Sequence, residues 1–250
     1  TAKHLRKWMK PQKRRIDFTM YPGARNRVIP QPLGVVGVIV PWNFPLNLSF
    51  VPLAAIFAAG NRAMVKMSEN SRHLAAQLMR LSPKYFPEDK LRFFDDEDGR
   101  GPIFSALPFD HLLFTGSGTT GRAVMASAAR NLTPVTLELG GKAPAIIGPD
   151  YPVKTAAERI MWAKMFNAGQ ICTNIDYVFM PEGAMPEFVA HCKRLVAERF
   201  PNLNGPDYTA IIDQRSFARL QATLEDARQK GATLVNLGEG QASNAQLRKF

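Results

Sequence analysis

Short apolar runs alternate along the chain with longer amphipathic ones, and the alternation itself predicts the elements. "GVVGVIV" (34–40) is β-branched and carries no polar side chain, the pattern of a strand buried on both faces. "PWNFP" (41–45) is bracketed by prolines and predicts a loop. "LNLSFVPLAAIFAAGN" then predicts a buried helix closed by Gly60. Further strands are expected at 62–67, 91–94, 111–114, 135–139, 143–147, 175–180 and 232–237. Helices are expected after the capping residues of "SENS", after the glycines near 118, over 154–169, near 185–199 and near 215–230. "DDEDGRG" (95–101) reads as a polar turn. Strand and helix alternate throughout. That predicts an α/β chain with a doubly wound, mostly parallel sheet covered by helices on both faces.

Composition narrows the class. The chain has 250 residues, 46% of them hydrophobic, enough for a sizeable core in one large or two small domains. From Val28 to Asn61 no residue is charged, but Pro41, Pro45 and Pro52 interrupt the run, so a buried strand, loop and helix fit it better than a membrane span. The net charge is +11, concentrated in "KHLRKWMKPQKRR". That cluster is expected to be a solvated helix end followed by a loop; a nucleic-acid or membrane-surface patch is the rival reading. Two cysteines make no disulfide framework, no secretory signal is evident, and the cytoplasm is the expected compartment. The four histidines show no metal-ligand spacing, so no metal site is expected.

One stretch bears directly on chemistry. "FTGSGTTGR" (114–122) spells G-x-G-x-x-G between a predicted strand and a predicted helix, as a pyrophosphate-binding loop would. Glu138 follows at about the distance of the ribose-binding acid in that fingerprint, ~20 residues on. Yet the fingerprint normally opens its domain, and here at least two strand–helix pairs precede it. The pattern alone leaves the loop's identity open.

Four more motifs stand in order with it: "PWNFP" at 41–45, "VKMSE" at 65–69, "LELGGKAP" at 137–144 and "NAGQICTN" at 167–174. Together the five resemble the NAD(P)-dependent aldehyde dehydrogenase superfamily. The tone of "LPFDHLLFTGS" and "NLTPVTLELGGK" most resembles its class-three-like branch, which includes coniferyl aldehyde dehydrogenases. The resemblance implies a dinucleotide-binding domain over 1–138, whose first part would precede this chain. It implies a second α/β, catalytic domain over 139–250, whose last part would follow.

It also implies site residues. Gly116, Ser117 and Gly121 would carry the phosphate loop, which makes Gly118 incidental. Trp42, Lys66, Glu69 and Leu139 would complete the cofactor contacts, with Lys66 and Glu69 at the ribose. Glu69 favours NAD, while Lys66 leaves NADP possible. Cys172 would be the nucleophile, Asn43 an oxyanion donor and Glu138 the general base. The chemistry is coherent from the residues up. A thiolate adds to the aldehyde carbon. A side-chain amide and a backbone N–H can hold the oxyanion. Hydride then leaves to the nicotinamide, and a water activated by Glu138 hydrolyses the thioester. The expected substrate is an apolar or aromatic aldehyde of coniferyl type, and the expected assembly is a homodimer of the full-length protein. A binding module without turnover is the alternative from another class. Cys192, on an apolar helical face with Phe188, Val189, Leu195 and Val196, is expected to be a core residue. The acidic "FFDDEDGRG" departs from the family's small glycine-containing turn, so the adenine side of the cofactor site is expected to differ.

Overall fold

A computed structural model describes residues 2–238 and 247–249, which divide into two compact units at Leu139/Gly140. The first opens with helix α1 (Ala2–Trp8) and an antiparallel pair, β1 (Gln12–Arg14) with β2 (Asn26–Val28), every residue of the pair exposed. The basic segment is thus partly a strand, where a loop was expected. Three-residue strands with no buried face leave no alternation to read.

The body of this unit is a five-stranded parallel sheet in the order β5-β4-β3-β6-β7. Its strands are β3 (Val35–Ile39), β4 (Arg62–Lys66), β5 (Leu91–Phe94), β6 (His111–Gly116) and β7 (Val135–Leu139). The chain starts at the central strand, moves outward through β4 and β5, then crosses back to β6 and β7. The expected doubly wound α/β fold is present. Helices α2 (Pro45–Ala58) and α3 (Arg72–Leu81) cover one face, and the short α4 (Gly101–Ser105) and α5 (Gly118–Ala129) cover the other.

The alternation of β3 explains the two cores. Val36, Val38 and Val40 pack with Leu53 of α2 and with Ala75 and Leu78 of α3. Ile39 packs with Phe104 of α4, Leu112 and Phe114 of β6, and Val124 and Ala128 of α5. Each fully buried aliphatic or aromatic side chain contributes about 1.5–3 kcal/mol. The N-terminal end of β3 is held by side chains distant in sequence. Asn61 Oδ1 accepts from the N–H groups of Leu33 and Gly34, and Asp110 Oδ2 accepts from Val35 N–H at 2.7 Å. Gly34 has φ +134°, and a Cβ there would collide with the Asp110 carboxylate. Helix α2 begins with Pro45 at its first turn and ends before Gly60 at φ +84°, as its punctuation predicted. Helix α4 was not foreseen; five residues behind an acidic turn are too few to show a period.

The second unit contains a parallel pair, β8 (Ala143–Ile146) with β9 (Ile175–Phe179), joined through α6 (Val153–Met165). Helix α7 (Met185–Arg199) packs on α6 through Cys192, Leu195 and Val196 against Ala157 and Met161. Helix α8 (Gln214–Gln229) follows, capped by the Asp213 side chain, which accepts from Ser216 N–H. Two expectations fail here. The helix predicted to reach 169 stops at Met165, because Asn167 and Ala168 adopt left-handed backbone at φ 52° and 50°. The strand predicted at 232–237 is absent. Residues 232–236 have no regular secondary structure and are exposed, with no paired strand among the described residues. No helix among the described residues is long and apolar enough to cross a membrane.

Candidate active site

A cleft of about 500 Å³ opens at the carboxyl ends of the parallel strands in the first unit. It lies where the strand order reverses, between β3 and β6, the place where open α/β sheets bind ligands. Its floor is Ile39 at the end of β3, Val40, Pro41 and Trp42 of the loop that follows, Lys66 from β4, and Phe114, Thr115 and Gly116 from β6. Its walls are Gly101, Pro102 and Ser105 of α4 and Thr120, Ala123, Val124 and Ser127 of α5. Five residues named by the sequence therefore share one cavity: Trp42, Lys66, Glu69, Gly116 and Ser117.

The glycine loop is built for close approach at two positions. A Cβ on Gly116 would sit 2.5 Å from Phe114 Cζ, and one on Gly121 would sit 3.1 Å from Leu139 Cδ2. A Cβ on Gly118 would meet nothing nearer than Arg122 Nη1 at 3.9 Å, so the middle glycine of G-x-G-x-x-G has no steric task. Ser117 caps α5. Its Oγ accepts from Thr120 N–H at 3.1 Å and lies 2.9 Å from Thr120 Oγ1. The start of a twelve-residue helix thus faces the cleft with its partial positive charge. Gly121 and Leu139 lie behind this loop, in contact with each other, rather than on the cavity wall.

The charged groups are arranged unexpectedly. Lys66, with 6% of its side chain exposed, is ion-paired to Asp96, Nζ to Oδ2 at 2.5 Å. Asp96 Oδ1 accepts from Gly101 N–H at 3.1 Å. Glu69 stands at the exposed rim, its Oε2 accepting from Ser68 Oγ at 3.1 Å. Asp96 and Thr120 are among the cleft residues that sequence reasoning missed. The acidic departure at 95–101 was the available signal for Asp96, but nothing local connects it to Lys66.

The remaining residues occupy their own places. Asn43 is half-buried in the loop between β3 and α2, its Oδ1 accepting from Phe44 N–H at 3.1 Å. Glu138 is exposed on β7, an edge strand, in register with Thr115. Cys172 is exposed in the second unit, in the turn between the left-handed segment and β9. That turn is pinned by Gln170. Its Nε2 donates to Asn167 O at 3.0 Å and Ala210 O at 3.1 Å, and its Oε1 accepts from Ile212 N–H at 2.9 Å. Gly169 has φ +77°, and a Cβ there would meet Asn174 Nδ2 at 3.2 Å and Lys164 O at 3.3 Å. The other thiol, Cys192, is buried as expected, and burial pushes its pKa from 9.0 up to about 11. A thiol so placed is inert, which leaves Cys172 as the accessible thiol.

Comparison with known proteins agrees on the family. A profile of the aldehyde dehydrogenase family matches residues 1–249. A probable coniferyl aldehyde dehydrogenase of Pseudomonas aeruginosa is 53% identical over 242 residues, 96% of this chain and 51% of that protein. A substrate-bound Staphylococcus aureus AldH superposes with a TM-score of 0.86 at 31% identity, over 98% of this chain and 53% of that one. A Mycobacterium tuberculosis aldehyde dehydrogenase complexed with NAD+ superposes with a TM-score of 0.78 at 29% identity, over 90% of this chain and 47% of that one. The chain belongs to the aldehyde dehydrogenase family, and it spans about half the length of these relatives.

Proposed function

We propose that this member of the aldehyde dehydrogenase family provides the dinucleotide cleft and the nucleophile of an enzyme that oxidises an aldehyde to its carboxylic acid. The observation that carries the reading is the cleft itself, which gathers Trp42, Lys66, Glu69, Gly116 and Ser117 at the switch point. The residues present fit a dinucleotide. The capped start of α5 suits phosphate, the Glu69 carboxylate suits ribose hydroxyls, and Pro102 and Val124 offer apolar walls to a base. When bound, NAD supplies a two-electron acceptor for hydride.

The protein's own residues do the rest. The Cys172 thiolate adds to the aldehyde carbon, forming a C–S bond and moving the carbonyl electron pair onto oxygen. Asn43, in the loop between β3 and α2, donates its side-chain amide N–H to that oxygen. Loss of hydride leaves a thioester on Cys172. Glu138, exposed on its edge strand, takes a proton from water, whose oxygen attacks the thioester and releases the acid and the thiolate. This reading requires Cys172 and Glu138, which belong to different units, to reach one substrate. Kinship to a probable coniferyl aldehyde dehydrogenase supports an aromatic, coniferyl-type aldehyde. A homodimer and a cytoplasmic location complete the proposal.

The test is formation of reduced dinucleotide by the whole protein carrying this chain. Coniferyl aldehyde, benzaldehyde and a short aliphatic aldehyde are each offered with NAD and with NADP. Turnover fastest with the aromatic aldehydes is expected. Dinucleotide binding without turnover on any of them would replace the enzyme by a binding module.

A further inference from the structure

The cleft holds an ion pair that the proposed chemistry does not use. Among the described lining residues Lys66 is the only lysine or arginine; it is paired with Asp96, and Glu69 is a second lining carboxylate. In a chain of net charge +11 the described lining side chains thus set two carboxylates against one ammonium. Arg100, between the lining residues Gly99 and Gly101, is itself held by Asp95 at 2.7 Å. Asp96 is not a passing contact. It is 13% exposed, bonded to Lys66 by one oxygen and to Gly101 N–H by the other. Its rotamer is fixed by the fold, and it commits the one ammonium that could otherwise meet an incoming anion.

We propose that Asp96 is a specificity-determining residue for the dinucleotide. Paired with Lys66, it makes the cleft accept an adenosine ribose with a 2′-hydroxyl and reject one with a 2′-phosphate. The inference rests on the proposed use of this cleft for a dinucleotide and adds a selecting residue to it. A 2′-phosphate brings close to two negative charges. It would face Glu69 and Asp96 with no uncommitted cation in the lining, whereas a hydroxyl can donate to either carboxylate. Without Asp96, Lys66 would be a phosphate ligand and the same cleft would lean the other way.

Calorimetric titration of the whole protein decides the matter, with NAD, NADP, 5′-AMP and adenosine 2′,5′-bisphosphate as probes; the two nucleotides need no turnover. In Asp96→Asn, and separately in Asp96→Ala, the ratio of NADP to NAD dissociation constants should fall by about tenfold. The fragment pair should shift alike. Adding Lys66→Met should remove most of that shift, since the gain runs through the released ammonium. A wild-type measurement guards against variants that fail to fold. Raising ionic strength from about 0.01 M to about 0.15 M should lower the NADP to NAD ratio, because salt screens repulsion. An uncommitted Lys66 would make the same ratio rise. A ratio unmoved by either substitution, or rising with salt, overturns the role of Asp96 and leaves the proposed function standing. Failure of the wild type to bind either dinucleotide overturns both.

Discussion

The cleft and the cysteine turn are built by opposite means. The cleft is assembled from the ends of regular elements: three strand termini, a capped helix start, and glycines where backbone and ring approach closely. The cysteine turn has Asn167 and Ala168 in left-handed backbone, each costing about 1–2 kcal/mol, and is tied to residues 210–212 through the Gln170 side chain. Secondary structure positions the first site at little conformational cost. The second is positioned by individual hydrogen bonds, so its geometry is more easily lost. A binding surface can be formed by the first method. A single reactive atom at the tip of a turn needs the second.

The largest break in this comparison is Cys172→Ser. It should lower aldehyde oxidation at least about 10³-fold while dinucleotide affinity, read by fluorescence titration, persists. Loss of both would mean that turn and cleft are not separable. Glu138→Gln should slow turnover about 10²–10⁴-fold. Its mark would be a first-turnover burst of reduced dinucleotide, since only thioester hydrolysis is impaired; the lack of a burst would place Glu138 before that step. Gly116→Val probes the cleft's floor, where a Cβ meets the Phe114 ring at 2.5 Å. Chemical denaturation should show a loss of about 1–3 kcal/mol together with weaker dinucleotide binding. Gln170→Ala should cost less, about 1–2 kcal/mol, and should lower kcat without moving the KM for dinucleotide. A KM effect instead would show that the clamp serves the cleft.

The smallest effect concerns Cys192. At pH 8, iodoacetamide should modify Cys172 and spare Cys192, whose pKa of about 11 leaves on the order of one thiolate in a thousand. The raised pKa means that the folded state favours the protonated thiol. Its contribution to stability is therefore intact below pH 9 and lost as pH climbs toward 11. Equal labelling of both cysteines in a peptide mass map would break the assignment.

What could be read in advance follows the same division. The parallel sheet was legible because β3 carries apolar residues on both faces, and glycines and prolines punctuated the helices around it. The residues gathered in the cleft were legible because short motifs carry them. Asp96 was not, because its importance depends on Lys66, on another strand end and distant in the sequence. The turn before Cys172 was hidden for a different reason. Asn167 and Ala168 give no local warning of left-handed backbone, and the Gln170 contacts to Ala210 and Ile212 that brace it are long-range. Residues 232–237 show the converse. Their pattern suits a strand, but a strand exists only where another backbone pairs with it.

The place of β3 in the sheet also sets a schedule for making the protein. Its N-terminal clamp to Asp110 and its pairing with β6 join segments 75 residues apart, as the bond from Val35 N–H to Asp110 shows. At roughly 5–20 residues per second, translation needs about 4–15 s to deliver that second neighbour. For that interval the most apolar strand of the sheet has an open edge, so the nascent chain is most at risk of misassociation while the segment between β3 and β6 is being made.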